Sequence, residues 1–241
     1  MRLLYAYCLC DEAAPGMVEG EAGVGGARVR ALRFGPLAAV VSETEGERVA
    51  PTRENVLAHN RVNARVLARV TPLPFRFGTL ADEARLAAYV EEHRAELSAS
   101  LARVRGAVEM SVKVIRRAED SEQAGRREGL NAGRAAGGGS GTAYLLSKRE
   151  AQAADESLKK SAEEVAAWLA GRLGDAARES RVELCPAAAS NLLVRAAHLV
   201  ERGRLEEYRA RLAEACAERG GELRFLTSGA WPPYSFSDAR P

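Results

Sequence analysis

The sequence lacks a charge of one sign. Its 35 basic and 33 acidic residues leave a formal net charge of +2 over 241 residues. Without a basic surplus there is no electrostatic case for nucleic acid as a main partner. It also lacks any apolar run approaching the ~20 residues that span a bilayer, so no membrane partner is expected. Histidine is scarce, with three in the chain. His59, His93 and His198 have no partner at the HExxH or HxxxH spacing of a metal or metalloprotease site. The four cysteines are Cys8, Cys10, Cys185 and Cys216. A metal site on Cys8-x-Cys10 needs two more ligands, and no second Cys pair exists. Both are read as small core residues. The first residues have the look of a signal peptide, but the apolar stretch is short and Asp11-Glu12 follows at once. A buried strand, reduced thiols and a cytoplasmic location are expected instead.

Catalytic signatures are missing as well. Gly23-Val24-Gly25-Gly26 and the run Gly137–Gly141 carry no P-loop Lys-Ser/Thr and join no strand to a helix. Gly139-Ser140-Gly141 lacks the outer spacing of a nucleophile elbow. No carboxylate pair or nucleophile–base set stands out. The expectation is a protein that is not an enzyme, with no cofactor and no metal. Arg126, Arg127 and Arg134 are diluted by Glu119, Asp120, Glu122 and Glu128, as in a solvated linker.

What is present is a regular alternation of short strands and amphipathic helices. Leu3 to Cys8 is apolar on both faces, as in a central strand. Val29–Phe34 and Leu37–Val41 flank a Gly35-Pro36 turn. Thr52 suits an N-cap for a helix running to about Val70, with Val56, Val62, Val66 and Val70 inward. Pro72 ends that helix, and residues 73–79 follow as a short strand and turn. Leu86, Val90, His93, Leu97, Leu101 and Val104 form the stripe of one helix over 82–105, which makes His93 a half-buried, hydrogen-bonded residue. Gly106 closes it. Val108, Met110, Val112 and Val114 then alternate with Glu109, Ser111 and Lys113, as in a half-exposed strand. After the 119–141 segment, Thr142 to Leu146 reads as a short strand or an extended arm. A helix is expected from Lys148 to Leu173, with Leu158, Ala162, Val165, Leu169 and Leu173 inward. Strands over 181–185 and 191–200, a helix around Leu205, Tyr208, Leu212 and Ala215, and a strand over 222–227 complete the chain.

The fold class is α+β in two domains. Residues 1–118 form a mainly antiparallel sheet with helices on one face. Residues 119–141 are a flexible linker. Residues 142–228 form a ferredoxin-like, split βαβ domain. Residues 229–241 are an aromatic, Pro-containing tail docked on the body.

Two segments are candidates for interaction. In the first, Phe75 and Phe77 face one side of a strand and Arg76 the other. An edge strand with a buried aromatic pair is one reading, and a buried or interfacial guanidinium with a carboxylate partner is the other. The second is Gly229-Ala230-Trp231-Pro232-Pro233-Tyr234-Ser235-Phe236. Adjacent prolines suit an extended, polyproline-like segment. Its rings must dock on something, and Pro232 and Pro233 have little freedom to lose in doing so. Phe75, Arg76, Phe77, Trp231, Pro232, Pro233, Tyr234 and Phe236 are therefore candidates for partner contact or for an interdomain clasp.

Taken in order, five motifs resemble those of the gas vesicle protein F/L (GvpF/GvpL) family. They are Leu4-Tyr5-Ala6-Tyr7, Pro74-Phe75-Arg76-Phe77-Gly78-Thr79, Glu109-Met110-Ser111-Val112-Lys113-Val114, Gly141-Thr142-Ala143-Tyr144-Leu145 and Gly229-Ala230-Trp231-Pro232-Pro233-Tyr234-Ser235-Phe236. The chain departs from the family pattern at Ser228-Gly229-Ala230, where Thr-Gly-Pro is usual, and in its long Gly-rich linker. The resemblance implies a two-domain α+β accessory protein for gas vesicle assembly, with a ferredoxin-like second half. It implies the hydrophobic shell protein and other gas vesicle accessory proteins as partners, and possible association with the vesicle. A small-molecule-binding protein or enzyme on a ferredoxin-like scaffold, and an RNA-binding module, are the rival readings.

Overall fold

A computed structural model describes residues 3–11, 16, 18, 20–117, 140–185, 191–239 and 241. Most of the proposed linker therefore lies outside the described residues. The chain divides into two compact units, Met1–Glu109 with Gly229–Pro241, and Met110–Ser228.

The first unit is built on an antiparallel sheet. Strands β1 (Leu3–Asp11), β2 (Val29–Phe34), β3 (Leu37–Thr44) and β4 (Leu73–Pro74) lie in the order β2-β3-β1-β4, and β5 (Leu80–Ala81) also pairs with β1. Seven consecutive residues of β1, Leu4 to Cys10, are buried, as its position between β3 and the β4/β5 segments requires. The β2–β3 turn uses Gly35 at φ 66°, a conformation that costs glycine little. The β1–β3 register shifts between Ala6 and Cys8. At this bulge the Tyr7 hydroxyl lies 2.9 Å from Ser42 Oγ and accepts from the Val24 amide at 2.8 Å. A Cβ on Gly23 would come within 2.1 Å of that hydroxyl, so only glycine fits there.

Helix α1 (Arg53–Leu67) starts as expected, with Thr52 Oγ1 accepting from the Asn55 amide at 3.3 Å. Its buried face comprises Ala58, His59, Val62, Asn63, Val66 and Leu67. The single helix expected over 82–105 is two helices, α2 (Glu83–Glu92) and α3 (Arg94–Val104). His93 separates them at φ −103°, ψ 16°. Its Nδ1 and its backbone N–H both lie 3.0 Å from the Tyr89 carbonyl, so the ring shares the acceptor of the backbone bond that closes α2. Gly106, at φ 71°, leads from α3 into β6 (Ala107–Arg116).

The second sheet has the order β7-β8-β6-β9, with β7 at Glu179–Leu184, β8 at Leu192–Glu201 and β9 at Leu223–Trp231. The Arg116 and Arg117 amides donate to the Asn191 and Glu222 carbonyls, placing the end of β6 beside the starts of β8 and β9. Helix α4 runs Ser140–Leu173, not from Lys148, so residues 142–146 are helical rather than a strand or arm. Extending a helix through Ala143, Leu145 and Leu146 costs far less than nucleating another element. Ala162, Val165, Leu169 and Leu173 are buried. Helix α5 (Leu205–Arg219) buries Tyr208, Leu212 and Ala215. Arg172 of α4 pairs with Glu218 of α5 at 2.5 Å, and Trp168 of α4 meets Phe225 of β9 at 6.1 Å between centroids.

Candidate functional site

The aromatic tail does not leave a strand at Thr227. Strand β9 continues to Trp231, and the residues after it turn instead of running extended. Pro233 has φ −77° and ψ 64°, and the Tyr234 N–H donates to the Pro232 carbonyl at 2.7 Å, an inverse γ-turn. A 3-10 turn over Tyr234–Phe236 follows, with the Phe236 N–H donating to Pro233 at 3.1 Å.

These tail residues are held by groups from residues 60–109. The Tyr234 hydroxyl accepts from Asn63 Nδ2 at 3.0 Å and lies 3.5 Å from Asn60 Oδ1. Glu109 accepts twice from Ser235, from its N–H at 2.7 Å and its hydroxyl at 2.8 Å. Arg103 donates to the Phe236 carbonyl at 2.7 Å, and the Ser237 hydroxyl donates to the Pro74 carbonyl at 2.9 Å. Pro232, Pro233 and Phe236 are buried, whereas Trp231 is 43% exposed. Glu109 is only 6% exposed, contrary to its expected place on the open side of an alternating strand. A carboxylate buried at that depth needs donors, and Ser235 supplies two of them.

Phe75 is fully buried, and its N–H donates to the Tyr7 carbonyl at 2.8 Å. Arg76 is exposed, and its carbonyl accepts from the N–H and hydroxyl of Thr79. Phe77 is half-buried and meets Tyr5 and His59 edge-on at 5.9 and 5.8 Å. Tyr234 lies 6.1 Å from the same histidine. Phe77 and Tyr234, from two segments remote in sequence, thus converge on one buried imidazole. His59 stacks on Tyr7 and bonds on both sides, Nδ1 to the Tyr5 hydroxyl and Nε2 to Asn63 Nδ2, each at 3.0 Å. Burial lowers its pKa to about 4 and raises those of Tyr5, Tyr7 and Tyr234. A ring that is neutral at pH 7 and engaged at both nitrogens orders its neighbours; it is not poised to exchange protons with a substrate.

His59, Asn60, Asn63, Arg103 and Glu109 were absent from the candidates drawn from sequence. A usable signal existed for two of them. Val56, His59, Asn63 and Val66 step by three or four along α1, so both polar residues lie on its inner stripe.

Elsewhere, Cys8 and Cys10 are buried, with thiols pushed up by burial, Cys10 to about 12. Among the described residues no group of three His, Cys, Asp or Glu side chains is arranged to hold a metal, and no helix is long and apolar enough to cross a membrane. A cleft of about 1150 Å³ is lined by Arg28 and Arg30 together with Glu43 and Glu45, charges of both signs that define no single ligand.

Comparison with known proteins matches residues 3–238 to the family described as gas vesicle synthesis protein GvpL/GvpF. Gas vesicle protein L of Streptomyces sp. (strain CB03234) is 27% identical over 98% of this chain and 93% of its own length. Gas vesicle protein F of the same organism is 29% identical over 96% and 98%. These two values do not separate an F-type from an L-type member. The fold is similar to the crystal structures of GvpF from Anabaena sp. PCC7120 (TM-score 0.78, 18% identity, 100% of this chain and 98% of that one) and from Microcystis aeruginosa (TM-score 0.74, 18% identity, 98% and 99%). A match running from the first strand through the docked tail makes this chain a member of the GvpL/GvpF family of gas vesicle synthesis proteins.

Proposed function

We propose that this chain is a non-catalytic accessory protein of gas vesicle assembly. It binds the hydrophobic shell protein, other gas vesicle accessory proteins, or both, in the cytoplasm or at the vesicle. The observation that carries this reading is the family match over residues 3–238, joined by full-length similarity to proteins named gas vesicle protein L and F. Two features of the chain support a binding role over chemistry. The buried polar residues of the first unit are spent on holding each other and the tail, as at His59 and Glu109. Trp231, an amphipathic ring of the type favoured at interfaces, stands 43% exposed beside the docked segment. In this reading Trp231 and Arg76 are the groups offered to partners, while Phe75, Pro232, Pro233 and Phe236 serve as an internal clasp. The second unit is a ferredoxin-like scaffold, a view supported by the element sequence β6-α4-β7-β8-α5-β9 and the sheet order β7-β8-β6-β9.

Co-expression with the shell protein and the other gas vesicle proteins of its host, followed by affinity purification, tests the proposal. Retention of at least one of them is expected, and Trp231→Ala should reduce it. Failure to retain any gas vesicle component, with normal vesicles in cells lacking the gene, would overturn it.

A further inference from the structure

We propose that the groove formed by α1, α3, β4 and Glu109 is a peptide-binding site, filled by the chain's own residues 232–239, that takes the same segment from a second copy of this chain. The groove is specific in its chemistry. Glu109, 6% exposed, reads both the N–H and the hydroxyl of Ser235. The Pro74 carbonyl reads the hydroxyl of Ser237, and Arg103 reads the carbonyl of Phe236. Asn63 reads the Tyr234 hydroxyl, and the Phe236 ring is wholly buried. A ligand must therefore offer an aromatic hydroxyl, a serine, an apolar ring and a second serine in consecutive order. Tyr234-Ser235-Phe236-Ser237 has that order, so a second copy of the chain carries the complementary ligand.

The groove and its occupant are also separable. The hydrogen-bonding partners of Tyr234, Ser235, Phe236 and Ser237 described above come from the run 60–109, with His59 beside the Tyr234 ring, and the tail is joined to β9 through Trp231, which is 43% exposed. Exchange of such an element between identical chains creates no contact that the single chain does not already make. Tethering gives the cis segment a high effective concentration, so the exchanged form appears when the cis contact is weakened or the chain is concentrated.

Ser235→Asp sets a carboxylate against buried Glu109 and should expel the cis tail without altering any groove residue. A fluorescent peptide of residues 229–239 is titrated with the full chain, wild type and Ser235→Asp, each first checked for folding by circular dichroism. The variant should bind the peptide at least tenfold tighter than wild type, whose own tail competes. A peptide carrying Ser235→Asp should bind neither. A folded variant that takes up no peptide overturns the proposal, as does equal affinity of the two chains or of the two peptides. If Ser235→Asp does not fold, Ser235→Ala, which loses the hydroxyl without adding charge, provides the same comparison. No gas vesicle component is involved, so failure here leaves the assembly reading intact, and failure of that reading leaves this one.

Discussion

Glu109 is the residue on which the tail contact turns. Glu109→Ala leaves the N–H and hydroxyl of Ser235 without their acceptor, and hydrogen bonds to a charged group carry about 2 kcal/mol. Urea titration should show that loss, and an unchanged midpoint would count against the contact. The tail's rings should differ sharply from one another. Phe236 is wholly buried, so Phe236→Ala should cost about 4 kcal/mol. Trp231 is 43% exposed, and Trp231→Ala should cost about 1 kcal/mol by the same titration. The buried histidines set a pH dependence. His59 and His198 have folded pKa values near 4, below the ordinary 6.5, because burial disfavours the charged ring. Between those values the unfolded chain binds more protons than the folded one, so stability falls as pH drops through the window. From pH 7 to pH 5 each should remove about 2 kcal/mol. Urea midpoints at the two pH values measure the sum, and NMR signals of both rings should stay in the neutral position down to pH 5.

At the scale of elements, much was legible because periodicity and caps are local. The all-apolar run of β1, the Gly35-Pro36 hairpin, the Thr52 cap and the inward stripe of α4 from Ala162 to Leu173 all stand in the structure, while Leu158 is half-buried. What was not legible depends on contacts between distant residues. The apolar stripe continues across His93, and nothing in that periodicity marks the non-helical backbone of His93 that divides the helix. Alternation placed Glu109 on an open face, because the serine that covers it lies in a segment read separately. Phe77 and Tyr234 each stood out as aromatics, and the stripe of α1 turned His59 inward, yet nothing local joined the three. Helix α4 also carries a prediction of its own. Residues 155–157, 159 and 160 are exposed, whereas Ala162, Val165, Leu169 and Leu173 are buried. Tertiary packing supplies most of a helix's stability. Amides at 155–160 should therefore exchange with deuterium faster than those at 165–173, and uniform protection along the helix would contradict this.

On the scale of the whole molecule, the chain is not laid out as two successive blocks. Residues 229–241 belong to the same compact unit as residues 1–109, and residues 110–228 form the other. Removal of 230–241 should thus be felt far away in sequence. Amide protection should fall in α1 and around Pro74, where the tail is held, while β8 keeps its own. Equal loss in both places would argue against independent units. The same arrangement governs how the protein is made. A ribosome releases residues 60–109, with Glu109 and Asn63 in place, long before it releases Ser235. At ordinary elongation rates the interval is about ten seconds. For that time the donors and acceptors of residues 60–109 have no tail to hold, and the chain's own synthesis supplies it last.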